Sequence, residues 1–148
     1  FPGDKETVGL LTKSEAIFRA TNDMYLPVGL CHGDLTFSNI LFNHNDCYLI
    51  DFLDSFIETP SMDIVKIRQD SCFFWSRLMC QQPVDDIRLK IICKRIDMEV
   101  DSHFSGKYGW YNDLYLTYQI MNMLRILQYA KEEKVVMYLK NIIGGLLK

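Results

Sequence analysis

The sequence predicts a mainly helical α+β fold in which one short β-hairpin carries a polar loop, and three observations predict it. The polar run His32-Gly33-Asp34-Leu35-Thr36-Phe37-Ser38-Asn39 is bracketed by short apolar runs interrupted by turn residues. Beyond Thr59, apolar residues recur at helical spacing in four successive blocks. The chain has 148 residues, 49% hydrophobic and 24% charged, which is one globular domain's worth with enough length to bury a substantial core.

Taken in order, Phe1 to Gly9 form a short polar segment, and Thr12-Lys13-Ser14-Glu15-Ala16-Ile17-Phe18 predicts a capped helix running to about Met24. Val28-Gly29-Leu30-Cys31 predicts a short buried strand. Ile40-Leu41-Phe42 and Cys47-Tyr48-Leu49-Ile50 flank the turn Asn43-His44-Asn45-Asp46, which predicts a hairpin, and the apolar runs are expected to hold the polar loop rigid. Thr59 as cap with Pro60 in the first turn opens a helix whose stripe, Ile64, Ile67, Ser71, Phe74 and Leu78, continues to a break at Pro83. Pro83 opens the next helix, with Leu89, Ile92, Ile96 and Val100 on one face, and Ser102 to Lys107 form a loop. From Tyr108 to Ala130 apolar residues fall on almost every side, the pattern of a helix central to its domain. A last helix runs from Glu132 to Ile143, and Gly144-Gly145 marks its end.

The polar loop carries the chemistry. A carboxylate and an amide five positions apart, Asp34 and Asn39, cannot share a stripe on a regular helix, so they belong on an irregular loop. Asp51, at the end of the second hairpin strand, is returned toward Asn39 by the fold-back of the hairpin. Transfer of the terminal phosphoryl group of a nucleotide needs a carboxylate to orient and deprotonate an acceptor hydroxyl, and hard oxygen ligands to hold magnesium on the phosphates. Asp34, Asn39 and Asp51 supply those groups. Ordinary turn and cap roles would explain each polar residue singly, but not four in this order between apolar strands.

These segments resemble the protein-kinase-like superfamily, whose catalytic loop reads H-x-D-L-x-x-x-N and whose metal-binding Asp precedes Phe. Glycine after the histidine, and Thr36 where a protein kinase carries lysine, make the chain similar to the aminoglycoside phosphotransferase and choline kinase group. In that group a further Asp follows a proline at the head of the next helix, as in Pro60-Ser61-Met62-Asp63-Ile64. The resemblance spans residues 27 to 70. It implies that Asp34 is the catalytic base, that Asn39 and Asp51 are magnesium ligands, that His32 and Asp63 support the loop, and that ATP and Mg2+ are co-substrate and cofactor. Members commonly carry Gly-Asp-Pro ahead of the later Asp, where this chain has Glu58-Thr59-Pro60. The implied fold is a kinase-like C-terminal lobe with a catalytic hairpin and the N-terminal lobe absent, since neither G-x-G-x-x-G nor G-x-x-x-x-G-K-[ST] occurs. As most of one lobe cut from a longer protein, the chain is expected to be nearly inactive alone.

The implied activity of the parent is ATP-dependent phosphorylation of a hydroxyl on a small molecule: an amino alcohol, a sugar or an aminoglycoside-like compound. A regulatory pseudokinase is the first alternative, although all three base and metal residues are kept. A protein kinase is the second, disfavoured by Thr36 and by the lack of A-P-E after Asp51. For the acceptor, Phe73, Phe74, Trp75, Trp110, Tyr111 and Tyr115 could box a quaternary ammonium, though aromatics are more often core. Asp70, Glu99, Asp101 and Asp113 could hold a polyamine or amino sugar, though helical charges usually form a solvated face. Asp54 and Glu58 add negative charge near the loop. Arg68 either binds an anionic group or pairs with Asp70 or Glu58. His44 and His103 read as turn and loop residues.

A net charge of -3 with no basic run argues against a nucleic-acid surface. No apolar stretch approaches the roughly 18 residues of a membrane span, and no signal peptide opens the chain. The five cysteines, an odd number without C-x-x-C, fit free thiols in a reducing, cytoplasmic setting. Three scattered histidines argue against zinc.

Overall fold

Helix α1 spans Lys5–Ala20 and starts earlier than the Thr12 cap expected from sequence. Asp4 is the residue that caps it: its carboxylate accepts from the Thr7 amide and hydroxyl, each at 2.8 Å. Thr12 and Ser14 instead turn their hydroxyls back onto the carbonyls of Val8 and Leu10, which is what these residues do inside a helix rather than ahead of one. The computed structural model describes residues 4–21, 23, 25–54 and 57–148. The expected helix end at Met24 therefore lies outside the described residues, and α1 closes at Ala20 with Thr21 as its C-cap.

Residues 26–112 and the two flanking stretches form separate compact units. The unit made by the ends of the chain contains α1, the greater part of α5 (Gly109–Leu127) and α6 (Glu133–Leu146). In α6, Val135, Val136, Leu139 and Ile143 lie on one face, and all four are buried. The helix continues through Gly144 and Gly145 to Leu146, past the expected stop, so these glycines are helical rather than terminating. Leu114, Tyr118, Ile120, Met123 and Leu127 of α5 are buried, whereas Leu116 is exposed. The buried Lys140 ammonium lies 3.0 Å from both Asp4 carboxylate oxygens and 3.2 Å from Glu6, tying α6 to the start of α1.

The Thr7 amide, then Lys140 and the Thr7 hydroxyl, hold the Asp4 carboxyl well below the usual carboxylate range. A carboxyl depressed in the folded state stabilises the fold above its unfolded value of 3.8, and that stabilisation is lost as the pH falls through the folded value. Asp4→Asn, which keeps a cap but loses the charge, is expected to melt below wild type at neutral pH. The gap should close as the pH drops below 3.8 in paired thermal melts; a gap independent of pH would contradict the role given to the charge.

The central unit carries the hairpin, β1 (Ile40–Asn43) paired antiparallel with β2 (Asp46–Leu49) in the register Ile40 opposite Leu49. His44 takes a left-handed φ of 56° in the turn, a conformation in which histidine is found more often than most non-glycine residues. The unit also holds α2 (Pro60–Ser71), α3 (Trp75–Met79) and α4 (Asp86–Ser105). Thr59 and Pro60 start α2 as expected, but the helix does not run to Pro83. Phe74 adopts φ 56°, breaking the helix between α2 and α3, so five helices follow the hairpin among the described residues rather than four. Asp85, not Pro83, caps α4 by accepting from the amides of Ile87 and Arg88. The helix runs through the predicted loop to Ser105, placing His103 in its last turn.

Two further expectations fail in this unit. Val28 to Cys31 form no strand, and Val28 and Leu30 are exposed; the Gly29 amide donates to the Glu58 carbonyl at 3.2 Å. The hairpin strands are likewise almost wholly exposed, so burial of their apolar residues is not what holds the polar loop.

Candidate active site

The loop is held by α2. Asp63, Lys66 and Asp70 stand at i, i+3 and i+7, one stripe of the helix, and each engages the loop in chain order. The Asp63 carboxylate accepts from the amides of His32 at 2.6 Å and Gly33 at 2.9 Å. The Lys66 ammonium sits 2.9 Å from Asp34 Oδ1. The Asp70 carboxylate accepts from the Phe37 amide at 2.7 Å and, with its other oxygen, from the Ser76 amide at 2.7 Å. Asp70 therefore pins the loop and also receives the first turn of α3 after the break at Phe74.

His32 is buried, and its ring is bonded on both nitrogens. Nε2 lies 2.7 Å from the Ile50 carbonyl, which can only accept, while Nδ1 accepts from the Asp34 amide at 3.3 Å. Both bonds are made only by the neutral ring with its proton on Nε2. The ring stacks on Phe52 with centroids 4.4 Å apart, and the His32 carbonyl accepts from the Leu53 amide at 2.9 Å. Residues 50–53 are thus laced to the start of the loop. Gly33 completes this join: its φ is +83°, and a Cβ there would fall 2.0 Å from the Leu53 carbonyl oxygen.

Asn39 is buried and turns its amide nitrogen toward Asp34, 2.8 Å from the carbonyl and 3.3 Å from Oδ2. That orientation leaves its side-chain oxygen as an available ligand. The Ile50 amide donates to the Asn39 carbonyl at 3.1 Å, extending the hairpin pairing by one step and bringing the residue before Asp51 alongside Asn39. Asp51 itself is exposed, and its carboxylate makes no hydrogen bond or ion pair to a described residue. Its backbone has φ 57°, a left-handed conformation uncommon outside glycine but one that aspartate adopts more readily than most residues. Carboxylate and amide oxygens suit a hard cation such as Mg2+, which is commonly bound by one or two protein oxygens together with phosphates and water. Among the described residues no cluster of three His, Cys, Asp or Glu forms an all-protein cage. The neighbouring Cys31 thiol is pushed up by burial and by the Asp63 and Glu58 carboxylates, which disfavours a reactive thiolate beside the loop.

The remaining candidates lie elsewhere or are otherwise engaged. From the opposite side of α2, Arg68 reaches Asp97 at 2.8 Å and Asp101 at 2.6 Å on α4, and donates to the Tyr111 hydroxyl. Burial, with the Asp101 carboxylate, pushes the Tyr111 phenol above its ordinary range. Tyr111 and Asp101 thus join α2 to α4 and the start of α5, and Trp110 packs against Phe104 and Tyr108. Tyr115 donates to Gln119. Glu99 pairs with Arg95 on the exposed face of α4, and His44 contacts Asn43 in the hairpin turn.

The sequence profile of the phosphotransferase enzyme family matches residues 4–80, just over half of the chain. The chain belongs to that family. The matched phosphotransferase segment runs from the cap of α1 through the loop, the hairpin, α2 and α3, and contains every residue of the loop and of the α2 stripe. No curated protein and no solved structure matches the chain. Among the described residues no helix is long and apolar enough to cross a membrane.

The α2 contribution beyond Asp63 is not evident from sequence. Lys66 carries no motif signal, and Asp70 reads as one more helical charge. The usable signal is their spacing from Asp63, which puts three charges on one stripe of a helix.

Proposed function

We propose that the full-length protein transfers the terminal phosphoryl group of ATP to a hydroxyl of a small molecule, an amino alcohol, a sugar or an aminoglycoside-like compound, in a cytoplasmic setting. Asp34 accepts the hydroxyl proton as the acceptor oxygen attacks the terminal phosphorus, and the electron pair of the cleaved bond leaves on ADP. Asn39 and Asp51 hold Mg2+, which neutralises charge on the phosphates when bound. His32 and Asp63 act on the loop backbone and not on the substrate.

One observation carries this reading. Two oxygen ligands without a protein partner among the described residues, the Asn39 side-chain oxygen and the Asp51 carboxylate, stand on segments joined by the Ile50–Asn39 bond, while the Asn39 nitrogen is bonded to Asp34. Base and metal ligands are thereby mechanically linked, as in-line phosphoryl transfer requires.

The test is ADP release by the full-length protein with magnesium and ATP across amino alcohols, sugars and aminoglycosides. Asp34→Asn should lower kcat by about 10²- to 10⁴-fold while nucleotide binding persists. Asp51→Ala should weaken magnesium-dependent nucleotide binding. Undiminished turnover by Asp34→Asn would remove the assignment, and tight magnesium–ATP binding without turnover on any acceptor would favour a regulatory, non-catalytic protein.

A further inference from the structure

We infer that Lys66 is the positioning residue for Asp34, holding the carboxylate turned toward the acceptor hydroxyl. The inference rests on the phosphotransferase reading of Asp34. The Lys66 side chain is 6% exposed and the Asp34 side chain 30% exposed, with 2.9 Å between ammonium and Oδ1. A buried ammonium carries a desolvation penalty that a methionine or leucine at the same place would avoid, and α2 already buries Met62, Ile64 and Val65 nearby. Stability of the helix therefore does not call for a lysine at this position.

The geometry gives the lysine a use. Asn39 Nδ2 approaches Asp34 Oδ2 at 3.3 Å while Lys66 holds Oδ1, so the carboxylate is gripped from two sides and cannot rotate freely about its last bond. The Asp34 backbone is fixed as well: its amide donates to His32, and its carbonyl accepts from the Thr36 amide at 2.7 Å and from Asn39. In the transfer step the acceptor proton moves to the Asp34 carboxylate as the new O–P bond forms and the bond from the terminal phosphorus to its bridging oxygen breaks. Lys66 keeps its own proton throughout, and its contribution is orientation.

The burial asymmetry makes the role testable apart from folding. Removing Lys66 leaves Asp34 with access to water, so the fold should tolerate Lys66→Met. The full-length protein is assayed for ADP release with magnesium and ATP, with the acceptor panel and with water alone, comparing wild type, Lys66→Met, Lys66→Arg and Asp34→Asn. The expected result is a kcat lower by about 10- to 100-fold in Lys66→Met, with KM for magnesium–ATP and the melting temperature near wild type, and part of the rate restored by Lys66→Arg. A Lys66→Met kcat within about twofold of wild type overturns the inference while leaving Asp34 intact. A fall in melting temperature with a parallel rise in KM, not relieved by arginine, overturns it in favour of a structural role. Absence of turnover in wild type, or turnover undiminished in Asp34→Asn, removes the underlying reading of Asp34 and the Lys66 role with it.

Discussion

Gly33→Ala is expected to unfold at markedly lower denaturant than wild type and to lose turnover with it. Two effects add. An alanine held at φ +83° is strained by about 1–2 kcal/mol from its own backbone alone. Its Cβ would also lie 2.0 Å from the Leu53 carbonyl oxygen and 2.9 Å from the carbonyl carbon, and backbone atoms cannot swing aside as a side-chain tip would. Relief requires the loop and residues 50–53 to part, breaking the His32–Leu53 bond and displacing Asp34 and Asp51 together. The total should reach about 3 kcal/mol or more. Gly29→Ala is the matched control, because a Cβ there meets nothing within 4 Å. Equal denaturation midpoints for Gly33→Ala and wild type would contradict the close approach.

Asp70→Ala should be nearly as damaging, through lost acceptors and not through a clash. Asp70 is 2% exposed, and its carboxylate serves two amides, Phe37 on the loop and Ser76 on α3, at 2.7 Å each. Without it two N–H groups in a water-poor region lose their partners, at about 1–3 kcal/mol apiece where burial is complete. Hydrogen exchange gives a local readout: the Phe37 amide should exchange much faster in Asp70→Ala than in wild type at matched global stability. Unchanged protection of that amide would show that something other than Asp70 restrains the loop.

The parts of this molecule governed by local chemistry were legible in the sequence. The hairpin followed from apolar runs around a polar turn, the start of α2 from Thr59 and Pro60, and the α+β class from confining strands to one segment. The family was legible as a resemblance of the motif residues His32, Gly33, Asp34, Asn39, Asp51 and Asp63 to those of a known phosphotransferase group. What escaped was decided by tertiary contact. Thr12 resembles a cap until Asp4 is found bonded to Thr7. The stripe through Phe74 looks continuous because periodicity does not report a left-handed residue that breaks the helix. Asp70 reads as one more helical charge, Arg68 as an anion site or a partner of Asp70 or Glu58, and Lys66 carries no signal, yet all three are buried, two facing the loop and one facing α4. A charge is placed inside by its partners, and partners distant in sequence leave no periodic trace.

The α2 stripe has a metric consequence. A helix rises 1.5 Å per residue, so the seven steps from Asp63 to Asp70 lay out about 10 Å of fixed length along which loop residues 32 to 37 are tacked at three points. The loop has no regular structure of its own beyond a single short turn at Phe37–Asn39, and it takes its dimensions from the helix as a flexible strip takes the length of a ruler. A residue inserted between Asp63 and Asp70 would turn the far end through roughly 100° and carry the last tack off the edge. Loop and helix are therefore one gauge, and variation that preserves this site has to keep their lengths in step.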